Sequence, residues 1–181
     1  MRALRLCSAL VALSAMVGLS LPSVAYADSG TIHVNCEYVS ELHKQLPEDY
    51  LAMMIHELTH VVQQYPNDNK NQWLTEGIAD YVRHKYFEKD IEPKLHLDKD
   101  GQLQGFARER NKGNFATKGY LAGYTVTGAF LYWLEGRKDK DIVFVLNRAM
   151  RDHRYDAKVF EQRCKARLGV LWQEFVAQSG G

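Results

Sequence analysis

The feature that most limits what this chain can become is His56-Glu57-Leu58-Thr59-His60, two histidines four residues apart in a segment that reads as helix. Positions i and i+4 are neighbours on a helix face, so both imidazoles can reach one ion. Zinc takes nitrogen and oxygen ligands in tetrahedral geometry, and a catalytic site leaves one position open to water. Glu57 is rotated toward that open side, where it can act as general base and take a proton from the water. The helix is expected to begin at residues 47–49, a proline and two acids suited to a first turn, and to run to Tyr65. Residues 66–69, Pro-Asn-Asp-Asn, then make a turn. Leu51, Met54, Ile55, Leu58, Val61 and Val62 recur at helical spacing and form an apolar stripe, with His56 and His60 on the opposite side.

Two histidines leave a zinc site one ligand short, and the next helix offers it. This helix is expected over about 72–87, with Leu74, Ile78, Tyr81 and Val82 as its apolar positions. Glu76 and Asp80 stand at i and i+4 on one face, within an otherwise apolar segment. Two antiparallel helices joined by a short turn would bring that face against the histidines, with Gly77 allowing close approach. Glu76 is then the third metal ligand, and Asp80 accepts the free N–H of a ligand histidine, His56, fixing its tautomer. The plainer alternative for both acids is a solvated helix face. A metzincin arrangement fails, because it needs glycine at 63 and histidine at 66 where the chain has Gln63 and Pro66. A glutamate and an aspartate on a following helix match the gluzincin arrangement instead. A purely structural zinc site is the weakest reading, since three protein ligands leave a position open.

The rest of the chain places this site in an exported protein. Arg2 and Arg5 precede an apolar run over 6–21, Pro22 breaks it, and Ala25-Tyr26-Ala27 is a cleavage pattern. Residues 1–27 therefore read as a signal peptide and 28–181 as one domain, secreted or periplasmic. The run is shorter than the ~20 apolar residues of a spanning helix, and no later stretch is long enough. Cleavage removes Arg2 and Arg5 and no acid, leaving 21 basic against 22 acidic residues, a net charge near −1. That balance gives no electrostatic basis for capturing nucleic acid or an anionic membrane. Cys36 and Cys164 remain after cleavage, and in an oxidising compartment they are expected to form a disulfide.

Residues 31–39 read as a strand and 88–118 as a polar, glycine-spotted segment with a hairpin around Asp98-Lys99-Asp100-Gly101. Helices follow from Tyr124. Val126, Phe130, Leu131 and Leu134 line one, and Ile142, Val145, Leu146 and Met150 another. Phe160 lies in a third, and Leu171, Trp172, Phe175 and Val176 in a last. An anionic tetrahedral intermediate needs a donor besides the metal, and Tyr124 is the candidate, with Tyr120 its rival and a core tyrosine the bland alternative. His84 lies one turn beyond Asp80 on the same face and reads as a surface histidine, with a supporting role behind the metal ligands as the alternative. Trp73, Trp133 and Trp172 read as core.

Three segments carry a family resemblance: residues 56–63 (His-Glu-Leu-Thr-His-Val-Val-Gln), 76–83 (Glu-Gly-Ile-Ala-Asp-Tyr-Val-Arg) and 123–131, which opens Gly-Tyr-Thr-Val-Thr and ends Phe-Leu. Together with Leu171-Trp172-x-x-Phe175 near the end, they resemble the plant basic secretory protein family, whose members are regarded as zincin-like peptidases and include bacterial ones. The likeness runs over about 32–177. It implies an α+β, zincin-like domain: a short N-terminal sheet remnant, the active-site helix and a mostly helical C-terminal half. It also implies one zinc ion and a peptide or protein substrate, and a monomer is expected. The chain departs from the family in three ways: its mature part is not basic, it has little sequence for the N-terminal sheet, and the stretch between Arg83 and Gly123 is long. Two other functions fit the same motifs. One is an inactive zinc-containing binding module of the cell envelope, against which the presence of Glu57 argues. The other is a metal-dependent hydrolase of a different amide bond.

Overall fold

The computed structural model describes residues 25–28, 30–35, 40, 44, 47–65, 70–88 and 115–179. The chain divides into two compact units, residues 1–62 and 63–181.

In the first unit, β1 (Ala25–Asp28) pairs antiparallel with β2 (Thr31–Val34), Ala25 opposite Val34 and Asp28 opposite Thr31. Gly30 in the connecting turn takes φ 81°, which glycine adopts without strain. Ile32 and Val34 are buried and alternate with half-exposed neighbours, as a one-sided hairpin requires. The strand expected over 31–39 thus covers 31–34, and 36–39 lie outside the described residues. β1 occupies the residues of the expected cleavage pattern.

Helix α1 (Pro47–Gln63) begins where the proline and acids place it. Its apolar stripe, however, is not its buried face. Leu51, Leu58 and Val62 are exposed, Val62 at 67%, while Ala52, His56 and Glu57 are buried. Helical periodicity groups residues onto faces. Which face is buried depends on what packs there, and on α1 it is the face that carries the polar motif. Gln64 follows in left-handed conformation, φ 49°, and ends the helix.

The second unit is helical. α2 (Gln72–Val82) continues without a break into a π-helical turn, Arg83–Phe87, so the expected 72–87 helix is present with a widened last turn. α3 (Phe115–Lys118) runs into a 3-10 turn, Gly119–Ala122, and then come α4 (Tyr124–Arg137), α5 (Ile142–Arg151), α6 (Lys158–Cys164) and α7 (Leu168–Ser179). Helix with one short hairpin is compatible with an α+β class. The core gathers Leu74, Ile78, Phe130, Leu131, Leu134, Leu146, Phe160, Leu171 and Trp172. Trp172, fully buried, donates its indole N–H to the Phe115 carbonyl at 2.7 Å, so its polar atom is satisfied. Trp73 is likewise core and Trp133 partly so. On α5 the core position falls to Val143, while Val145 is half-buried and Phe144 is 67% exposed. Of the expected polar segment over 88–118, residues 89–114 with their hairpin lie outside the described residues, and 115–118 are helix. Among the described residues, no helix is long and apolar enough to cross a membrane.

Among the described residues the expected Cys36–Cys164 disulfide is not found. Cys164 is a free thiol buried at the end of α6, with its pKa raised by burial, and Cys36 lies outside the described residues.

α2 packs chiefly on α4, and small residues set how close they come. A Cβ on Gly77 would lie 2.1 Å from Thr127 Cγ2, and one on Gly128 would lie 3.1 Å from Asp80 Cβ. Gly77 therefore serves the α2–α4 crossing, where the sequence pointed to contact with the histidine helix. Thr127 cannot swing aside, because its hydroxyl donates to the Tyr120 carbonyl at 2.5 Å in a fully buried position. Gly77→Ala should cost about 1–3 kcal/mol through overpacking, less the ~1 kcal/mol alanine adds to a helix. Gly136→Ala, with nothing within 4 Å of the new methyl, should instead stabilise. Opposite shifts in thermal midpoint would verify the crossing, and a stabilising Gly77→Ala would contradict it.

Candidate metal centre

The centre begins with the α1 histidines. Nε2 of His56 and Nε2 of His60 lie 3.0 Å apart, with the rings edge to face at 85° and centroids 4.6 Å apart. Two nitrogens each 2.0–2.1 Å from one tetrahedral zinc stand about 3.3 Å apart. The pair is thus within a few tenths of an ångström of that spacing, and both Nε2 atoms converge on one point. With Nε2 as the ligand atom, the remaining N–H of each ring is on Nδ1. The hydroxyl of Thr59, between the histidines in sequence, is turned back onto the helix and donates to the Ile55 carbonyl at 2.8 Å.

Glu57 is as buried as His56, each 7% exposed. A carboxylate withdrawn from water is costly, and α1 bears that cost while exposing Leu51, Leu58 and Val62. A helix that buries a histidine and a glutamate in preference to leucine and valine is organised around its polar face.

The ligand atoms of His56, His60 and Glu76 all lie within 4.8 Å of one another, a group that could hold a metal ion. Two neutral imidazoles and one carboxylate suit a borderline divalent cation such as zinc, so the donor set fits the ion the motif implies.

Within the second unit, Glu76 is half-buried on α2. The chain entering α4 passes closely over it. A Cβ on Gly123 would lie 3.6 Å from Glu76 Cβ and 3.7 Å from Trp73 Cα. Gly123 has φ 70° and ψ −164°, a conformation essentially reserved for glycine. Tyr124 follows at φ 46°, a left-handed conformation that costs a side-chain-bearing residue about 1–2 kcal/mol. The backbone of this corner is held by Thr127, whose N–H donates to the Gly123 carbonyl at 3.2 Å. Strain of this kind persists only where the surroundings enforce it, and it collects at functional sites. Tyr120, the rival, belongs to the core. Its ring packs against Trp73, Trp172 and Phe130 at centroid distances of 5.0, 6.2 and 6.4 Å, and burial raises its pKa.

Asp80 is almost fully buried, 2% exposed, and accepts a hydrogen bond from Thr125 Oγ1 at 2.9 Å on Oδ2. His84, expected at the surface, is buried. Its Nδ1 lies 2.7 Å from Glu88 and its Nε2 3.1 Å from Arg83 Nη2. Arginine only donates, so Nε2 accepts, and the proton of the neutral ring is on Nδ1. Burial, then the nearby guanidinium, lowers the pKa of His84, in keeping with this neutral tautomer.

Gln63, Arg83 and Thr125 went unassigned in the sequence. Gln63, the last residue of α1, donates to the Thr75 carbonyl at 3.0 Å and is 4% exposed. Arg83 was detectable as the residue three beyond Asp80 on one helix. Thr125 carried no such signal, because it meets Asp80 from another helix 45 residues on.

Residues 8–175 match the family described as a peptidase of plants and bacteria. No curated protein and no solved structure matches the chain.

Proposed function

Since the chain belongs to the basic secretory protein family of plant and bacterial peptidases, we propose that it is a zinc-dependent metallopeptidase, its ion held by His56, His60 and Glu76 and its general base Glu57. The observation that carries this reading is the convergence of the two Nε2 atoms, 3.0 Å apart, with the Glu76 carboxylate in the same group.

An ion held there supplies Lewis acidity, which makes water nucleophilic near neutral pH and polarises the scissile carbonyl. The protein's own groups do the rest. Glu57 takes the proton from the attacking water and passes it to the departing amine, so one carboxylate serves as base and then as acid. Tyr124, presented by the strained corner beside Glu76, donates its hydroxyl to the oxygen that gains negative charge. Asp80 accepts the Nδ1–H of His56, which keeps Nε2 unprotonated and aimed at the ion. The same proposal includes a zincin-like, gluzincin-type domain over 28–181, export directed by residues 1–27, and action as a monomer on peptide or protein substrates.

The test is elemental analysis of the purified protein beside hydrolysis of unfolded casein, before and after removal of metal by a chelator. The expected result is about one zinc per chain, as a single three-ligand catalytic site requires, with casein cleavage that stops on chelation and returns with added zinc. A protein that neither retains nor responds to zinc would overturn the metal reading. Stoichiometric zinc without cleavage of any unfolded peptide would overturn the peptidase reading and favour a binding module.

A further inference from the structure

Asp80, 2% exposed, is the most deeply buried carboxylate among the described residues, and a carboxylate removed from water must be held by donors. Thr125 Oγ1 donates to its Oδ2 at 2.9 Å, and Arg83 Nη2 stands 3.6 Å from the same oxygen and 3.5 Å from Thr125 Oγ1. Arg83 is itself anchored. Its Nε lies 3.4 Å from Glu88, and its Nη2 meets His84. The π-helical turn makes this possible, since the Glu88 N–H bonds to the Arg83 carbonyl at 3.0 Å and so stacks residues five apart. A threonine is short, and it reaches Asp80 only because α2 and α4 cross so closely at Gly77 and Gly128.

We propose that Thr125 is a positioning residue for the metal centre, acting through Asp80. A carboxylate is planar, so fixing Oδ2 fixes the direction of its other oxygen. Thr125, steadied by the Arg83–Glu88–His84 group, thereby aims Asp80 at the Nδ1–H of His56. The inference rests on the reading that Asp80 orients His56, and it adds the group that orients Asp80.

The test compares wild type, Thr125→Val, Thr125→Ser and Asp80→Asn, with zinc affinity measured by competition against a chromophoric chelator. Valine keeps the shape of threonine and removes the hydroxyl. Partners that orient a ligand change metal affinity about 10- to 100-fold, and Thr125→Val should weaken zinc binding about tenfold, at the lower end because it acts at one remove. Thr125→Ser should restore binding, and Asp80→Asn should weaken it at least as much as Thr125→Val. A merely structural threonine would lower the thermal midpoint of the metal-free protein and leave zinc affinity unchanged. If Asp80→Asn weakens zinc and Thr125→Val does not, or if serine fails to rescue, the positioning role is overturned while the reading of Asp80 stands. If Asp80→Asn binds zinc as tightly as wild type, the reading beneath it fails as well.

Discussion

Glu57→Gln should leave the zinc content at the wild-type level and reduce casein hydrolysis by a factor of about 10²–10⁴, the range over which a positioned acid–base group accelerates a reaction. Glutamine fills the volume of glutamate and removes only the ability to take a proton. The substitution is also gentle on the fold, because it replaces a charge on a nearly buried side chain, 7% exposed, by a neutral amide. Retained metal with lost turnover is the signature of a base. A variant that loses zinc with activity would make Glu57 a ligand. One that keeps full activity would remove the general-base role and leave its burial unexplained.

Glu76→Gln should act on the metal itself. Structural zinc sites with four protein ligands bind with ~10–16 kcal/mol, which is ~3 kcal/mol per ligand and a factor of about 100 in affinity. An amide oxygen is a far poorer zinc donor than a carboxylate, so most of that factor should be lost, and activity at limiting zinc with it. The measurement is zinc competition with a chelator of known affinity, with activity followed as zinc is titrated back. Because Glu76 is only half-buried, the fold should survive, and circular dichroism would verify that. Unchanged zinc affinity would take Glu76 out of the ligand set and leave two histidines whose Nε2 atoms, 3.0 Å apart, share something else.

These two substitutions probe parts of the centre that differ in how plainly the sequence shows them. His56, Glu57 and His60 are legible because they lie within one helical turn. The spacing alone sets two imidazoles side by side, and the structure finds them so. Glu76 and Asp80 are legible as a pair on one helix face, and Tyr124 as the start of a helix. The strain at Tyr124, φ 46°, and the glycine-only conformation of Gly123 are not legible, since they arise where the chain turns tightly over Glu76.

The sequence by itself determined the family, the helices at 47–63 and 72–87, the i, i+4 placement of the site residues and most of the helical core. All of these follow from periodicity and short-range spacing, which the backbone dictates locally. Only the tertiary structure decided that α1 buries its polar face and exposes Leu51, Leu58 and Val62, that Gly77 serves α4, that His84 is buried, that Cys164 is a free thiol, and that Thr125 holds Asp80. Periodicity groups residues onto a face but does not choose that face's neighbour. Contacts such as that of Asp80 with Thr125 join residues 45 positions apart, and exist only once the helices that carry them have packed.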